Sequence, residues 1–179
     1  MKKYYRIFLA VCVGIITGIG LFSLIGHAMT TQDLSGKVYK ISQTLDGETV
    51  TNYVYFNNKG KYITVDDPDQ AESKSEKKQL QRKQKKLATS KKYARKLFKK
   101  DGEKYSVENN EIIADSSLLP FAPMIDNPIE IAGGDGSHFD LQFLDDSPRA
   151  QELSDDGNGV YLDYSMDLAD QSLQYKFQW

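Results

Sequence analysis

The sequence predicts a mainly β protein. The expected fold is a small antiparallel β-barrel of about eight strands, with one long basic helix inserted between strands 3 and 4 and an N-terminal membrane or signal helix in front. Three observations carry this. Short runs rich in Val, Ile, Tyr and Phe recur between turn residues, as strands of a meander do. Residues 69–104 hold fourteen Lys and Arg against five Asp and Glu, and no Gly or Pro falls between Ala71 and Asp101, so a helix interrupts the strands. Ile7–Gly26 is an uncharged apolar run of twenty residues.

That first run matches a hydrocarbon core of roughly 30 Å at about 1.5 Å of helical rise per residue. Lys2, Lys3 and Arg6 precede it, which keeps that flank cytoplasmic and places the body outside. Two readings stand open for residues 1–28. They form a single-pass anchor, or a signal peptide cleaved at Gly26-His27-Ala28 to release a secreted chain. Cys12 follows Val11, a poor fit to a lipidation box, and it is the only cysteine, so disulfides and thiolate metal sites are excluded from the body. Residues 29–35 read as a polar linker, and 36–179 as one extracytoplasmic β domain.

Lys37–Gln43 is the first predicted strand. Asp46-Gly47 makes a hairpin turn into Val50–Phe56. Asn57-Asn58-Lys59-Gly60 turns into Lys61–Val65, and Asp66-Asp67-Pro68-Asp69 ends that strand. One helix is then expected from near Ser73 to Lys99, about 40 Å long. Its apolar residues are sparse: Leu80, Leu87 and Ala94 repeat at seven, with Tyr93, Leu97 and Phe98 at the end. It should therefore dock through Leu87, Ala94, Leu97 and Phe98 and expose the rest.

Beyond Gly102, Lys104–Val107 and Ile112–Asp115 form a hairpin around Asn109-Asn110, residues that tolerate positive φ. Leu118–Pro128 reads as an irregular crossing, Ile129–Ile131 as a short strand and Gly133–Gly136 as a loop. Phe139, Leu141 and Phe143 alternate with His138, Asp140 and Gln142. Leu173, Tyr175 and Phe177 alternate with Ser172, Gln174 and Lys176. Each pattern marks a strand with one buried and one wet face. Val160–Tyr164 is a strand between them, after an acidic loop at 145–159 with one helical turn near Ala150–Leu153, and Asp167–Ala169 is a turn.

The order Tyr55-Phe56-Asn57, Gly60-Lys61-Tyr62, Gly102, Tyr105-Ser106-Val107, Asn109-Asn110 and Ile112 resembles the hairpin pattern of small lipocalin-like domains in exported bacterial proteins. The resemblance spans about a third of the chain. It implies a barrel that binds something apolar inside or serves as an interaction module. The lysine-rich helix departs from that pattern, and no ligand residue carries over.

Charge is segregated. The stretch 69–104 is +9, whereas Tyr105–Trp179 is −13, within a total of −2. The basic helix could therefore face the acidic half of its own chain. Otherwise Lys77, Lys78, Lys83, Lys85, Lys86, Lys92 and Lys96 are the residues to meet an anionic membrane lipid, a cell-wall polymer or a surface protein, through a salt-sensitive contact. A solvated spacer is the plainer alternative. The exported topology argues against nucleic acid.

No catalytic residue can be named. Ser137, His138 and Asp140 are close in sequence, but neighbours on a strand point to opposite faces. Only Asp140 shares the His138 face. No cofactor is expected, with one exception: Asp155, Asp156 and Asn158 form an oxygen-rich loop of the kind that takes calcium. The leading expectation is a non-enzymatic exported or anchored domain for surface interaction or small apolar ligand binding. The alternatives are an extracytoplasmic hydrolase or a calcium-dependent protein using the acidic half, and a structural module with no ligand.

Overall fold

The computed structural model describes residues 30–45, 47–114, 118–120, 127–154 and 157–179. The predicted anchor or signal segment, 1–28, lies outside them, as does most of the expected crossing segment. Among the described residues no helix is long and apolar enough to cross a membrane.

Eight antiparallel strands close into a barrel. They are β1 (Val38–Leu45), β2 (Glu48–Phe56), β3 (Lys61–Asp66), β4 (Glu103–Glu108), β5 (Glu111–Ala114), β6 (Ile129–Gly134), β7 (His138–Asp145) and β8 (Val160–Leu168). Each pairs with the next, and β8 returns to β1 through Tyr39↔Leu168, Ile41↔Met166 and their neighbours. Closure leaves no free edge. Two seams are narrow. β3 meets β4 only at Lys61↔Lys104 and Tyr62↔Glu103, and β5 meets β6 only at Glu111↔Glu130 and Ile112↔Ile129.

Alternation fixes what faces inward. Tyr39, Ile41, Val54, Phe56, Tyr62, Tyr105, Ile112, Ile129, Phe139, Leu141, Phe143, Tyr164 and Met166 belong to one buried cluster inside the barrel. Phe56 and Tyr105 meet edge-on at 4.7 Å, and Tyr39 touches Phe56 and Phe139 at 6.1 and 5.9 Å. The expected linker is partly structured. Thr31–Leu34 forms one helical turn, α1, whose Leu34 is fully buried in the same cluster. Thr31 Oγ1 accepts from the Val107 amide at 2.9 Å, so α1 is tied to β4 beneath the barrel.

A second apolar cluster lies outside the barrel. Val38, Tyr55, Ile63 and Val65 point outward from β1–β3 and pack against Leu87, Ala94 and Phe98 of the insertion. The insertion is not one rod. It is α2 (Lys74–Thr89) and α3 (Lys91–Asp101), broken at Ser90. Ser90 has φ −120° and ψ 98°; its amide donates to the Lys86 carbonyl, and its hydroxyl caps the Tyr93 amide at 3.3 Å. Serine offers the backbone this alternative to helix readily, which is why the break falls there.

The predicted final strand, Ser172–Phe177, is not a strand. Hydrogen bonding of β8 continues through Asp167 and Leu168, where a turn was expected, and completes the barrel. Likewise Gly133 and Gly134, expected in a loop, belong to β6. The tail after Ala169 runs across the outer surface, where Leu173, Tyr175, Phe177 and Trp179 pack on the second cluster. The period-two pattern was real burial, but against helices and not within a sheet. Phe139, Leu141 and Phe143 therefore line the interior, whereas Tyr175 and Phe177 do not. A six-residue helix, α4 (Pro148–Leu153), crosses the loop before β8.

Candidate anion-binding surface

Local sequence builds the basic arm. Lys, Gln, Leu, Ala and Arg, all strong helix formers, make up most of α2. Ser73 caps its start, accepting from the Glu76 amide at 3.1 Å, while Glu76 reaches back to the Glu72 amide at 2.9 Å. Leu80, Gln84, Leu87 and Ala88 then share one stripe by helical spacing, and the last three are buried. In α3 the stripe continues through Ala94 and Phe98, with Leu97 half-buried beside them.

Helix ends leave carbonyls without partners, and here other parts of the chain supply them. The Lys176 amide donates to the Ala88 carbonyl at 2.7 Å. Lys61 Nζ donates to the Gly102 carbonyl at 2.7 Å and reaches that of Phe98 at 3.5 Å. Lys91 Nζ donates to the Gln178 carbonyl. Gln174 clamps the tail to β1 by bonding both the amide and the carbonyl of Val38.

Of the lysines expected to contact an anion, Lys78, Lys85, Lys86, Lys92 and Lys96 are exposed, and Lys77 and Lys83 are half-buried. Lys77 is occupied: its ammonium sits 2.7 Å from Asp69, and that hydrogen bond holds the Asp69 carboxyl below its ordinary range. Lys86 lies 5.5 Å from the centroid of the Tyr93 ring, a cation–π contact. Among the described residues, the only Lys–Asp ion pairs are Lys77–Asp69 and Lys100–Asp101. Neither reaches the acidic half, so among the described residues no ion pair joins the arm to it. The outward acids Asp140, Asp163 and Asp167 sit on β7 and β8, whereas the arm covers β1–β3. Because β8 pairs with β1, these acids lie on strands next to the ones the arm covers.

Two grooves flank the arm. One, of about 590 Å³, is lined by Asn57, Asn58, Lys59, Lys61, Arg95, Phe98, Lys99 and Trp179. The other, about 350 Å³ beside the start of α2, includes Asp66, Asp67, Glu72 and Glu76 in its lining and so disfavours anions.

Ser137, His138 and Asp140 do not form a nucleophilic site. Ser137 Oγ donates to Asp135 at 2.7 Å, not to His138. His138 is held between two carboxylates, with Nδ1 2.7 Å from Asp167 and Nε2 3.2 Å from Asp140. Those contacts, Asp167 first, raise the imidazole pKa above its ordinary value. Sequence reasoning found Asp140 by strand parity but missed Asp167, which the β7–β8 register brings opposite His138. Among the described residues no group of three or more His, Cys, Asp or Glu could hold a metal. Asp155 and Asp156 lie outside the described residues, and Asn158 leads into β8.

Inside the barrel, Gln43 is buried with both amide atoms unpartnered, and the Tyr164 hydroxyl is buried without a partner. Burial raises the Tyr164 phenol to about 12, with Asp145 adding and the nearby Gln43 amide opposing, yet no hydrogen bond of ordinary geometry joins the two.

No protein-family model, curated protein or solved structure matches the chain. What fold and surface define is a closed eight-stranded barrel carrying a docked, lysine-rich arm.

Proposed function

We propose that the chain is an extracytoplasmic binding module. Residues 7–26 anchor it, or it is released by cleavage near Ala28, and its basic arm makes a salt-sensitive contact with a phosphate-bearing anionic surface. One observation carries this reading. The apolar residues of the arm are used up in docking on the barrel, while Lys78, Lys83, Lys85, Lys92 and Lys96 have no ion pair among the described residues. With no apolar face left for insertion, contact would be electrostatic, each lysine contributing roughly 1 kcal/mol near an anionic surface. The outward acids of β7 and β8 would be repelled by such a surface and so turn the lysine face of the arm toward it.

Sedimentation tests this. The full chain is expected to bind phosphatidylglycerol vesicles and soluble polyphosphate at low salt, and to release both near roughly 0.5 M salt, where screening is short-ranged. Joint reversal of Lys78, Lys85, Lys92 and Lys96 to Glu should abolish binding. Retention at high salt, or by the reversed variant, would overturn the reading. Capture by vesicles alone would assign the phosphate to headgroups, and by polyphosphate alone to a polymer.

A second reading, a small ligand inside the barrel, is favoured by the unpartnered Gln43 and Tyr164. Native mass spectrometry of the full chain should then find a co-purified molecule that Gln43→Leu loses; identical masses for both would defeat it.

A further inference from the structure

The groove at the foot of the arm differs in kind from the exposed lysine face. Arg95 and Lys99 are one helical turn apart on α3, Lys59 projects from the β2–β3 turn and Lys61 from the start of β3, so four cations converge on about 590 Å³. Half-buried Trp179, backed by the buried Phe98, gives the groove an aromatic wall, and among the described residues no acidic side chain lines it. Lys61 is committed to the α3 carbonyls but leaves its charge in place. Lys59, Arg95 and Lys99 have no ion pair among the described residues. Four like charges around one concavity repel each other unless an anion occupies it.

The setting is preorganised. Asn57 Oδ1 accepts from the amides of Lys59 at 2.7 Å and Lys61 at 3.1 Å, which fixes the turn from which Lys59 projects. Trp179 is held edge-on by Phe98 at 5.1 Å and Tyr175 at 5.0 Å, with Phe177 at 5.4 Å. Its indole N–H has no partner. A bare anion would need only the cations; an aromatic wall beside them suits an anion carried on a carbon skeleton. The volume exceeds what a phosphate alone would fill and falls in the range of small-molecule sites.

We propose that this groove is a stoichiometric site for a phosphate ester. Arg95 grips the phosphate as a fork, Lys59 and Lys99 complete the charge, and the carbon skeleton lies against Trp179. The site rests on the reading of the arm as a phosphate-contacting surface and deepens it by naming the group recognised.

Trp179 is the only tryptophan, so its emission reports on the groove directly. Titrating the full chain with glycerol 3-phosphate at low salt should give a saturable change in that emission. Arg95→Ala with Lys99→Ala should weaken binding about ten-fold or more, as loss of charge-assisted hydrogen bonds does. Arg95→Lys should retain part of it, and Lys78→Ala with Lys85→Ala, away from the groove, should leave it unchanged. Both changed groove residues are exposed, so folding is checked simply by circular dichroism. Phosphatidylglycerol vesicles as a second titrant separate the sources: a change with the soluble ester assigns a free ester, and one seen only with vesicles and lost in the double alanine variant assigns a headgroup. No saturable change with either titrant, a change that the double variant keeps, or an equal response to inorganic phosphate would overturn the proposal. If the titration fails while vesicle sedimentation stays salt-sensitive, only the groove falls. If sedimentation ignores salt while the titration succeeds, only the arm reading falls.

Discussion

His138 shows most directly what a single residue gains from register. Both ring nitrogens face carboxylates, so the doubly protonated ring satisfies both contacts. Its folded pKa is raised. The stabilisation is therefore fully present below the unfolded value of about 6.5 and is lost as pH rises through the folded value. NMR titration should give a His138 midpoint above 6.5, and Asp167→Asn should lower it; a midpoint at or below 6.5 would refute the clamp. Desolvation of the ring is what opposes the shift. Tyr55 makes a different point. Its hydroxyl is buried under the arm without a partner, and burial raises its pKa steeply. Removing an unsatisfied buried hydroxyl relieves a desolvation cost of about 1–3 kcal/mol, so Tyr55→Phe should raise the denaturation midpoint. Parity along a strand placed Asp140 beside His138 from sequence alone. Asp167 needed the pairing of β7 with β8, to which local sequence is blind.

At the scale of elements, the arm is a docked structure and not a free rod. Phe98 is buried between the barrel and Trp179, so Phe98→Ala should destabilise by about 3–5 kcal/mol and shift the Trp179 emission, measured by denaturant unfolding. Ser90→Ala removes the cap of α3 and should cost about 1 kcal/mol. The docking residues Leu87, Ala94, Leu97 and Phe98 were legible because helical spacing needs only the local chain. The place they dock was also written there. β2 and β3 read Tyr53–Phe56 and Tyr62–Val65 with little alternation, the mark of strands covered on both faces, whereas β7 alternates and stays wet outside. The tail misled because Leu173, Tyr175 and Phe177 at period two describe one covered face and cannot say whether a sheet or a helix covers it.

Over the whole molecule, the barrel is unevenly sewn. β1, β2, β7 and β8 pair along most of their lengths, while β4–β5 hang between two short seams. Amide exchange should therefore be fastest in β4 and β5 and slowest in β1 and β8; uniform protection would refute this. The basic arm and the acidic outer face of β7–β8 occupy neighbouring sectors of the barrel, a segregation that a net charge of −2 conceals.

The sequence by itself determined the approximate strand count, the place of the insertion, its docking face, the Asn109-Asn110 turn with its positive φ values and the segregation of charge. Each is set by local chemistry: turn geometry, helical period or the identity of side chains along a run. Only the tertiary structure decided that the arm bends at Ser90, that the tail leaves the sheet to cover it, and that Lys59, Lys61, Arg95, Lys99 and Trp179 share one groove. Those residues lie up to 120 positions apart in the chain. Their meeting follows from barrel closure and from the tail crossing the arm, which no local pattern encodes.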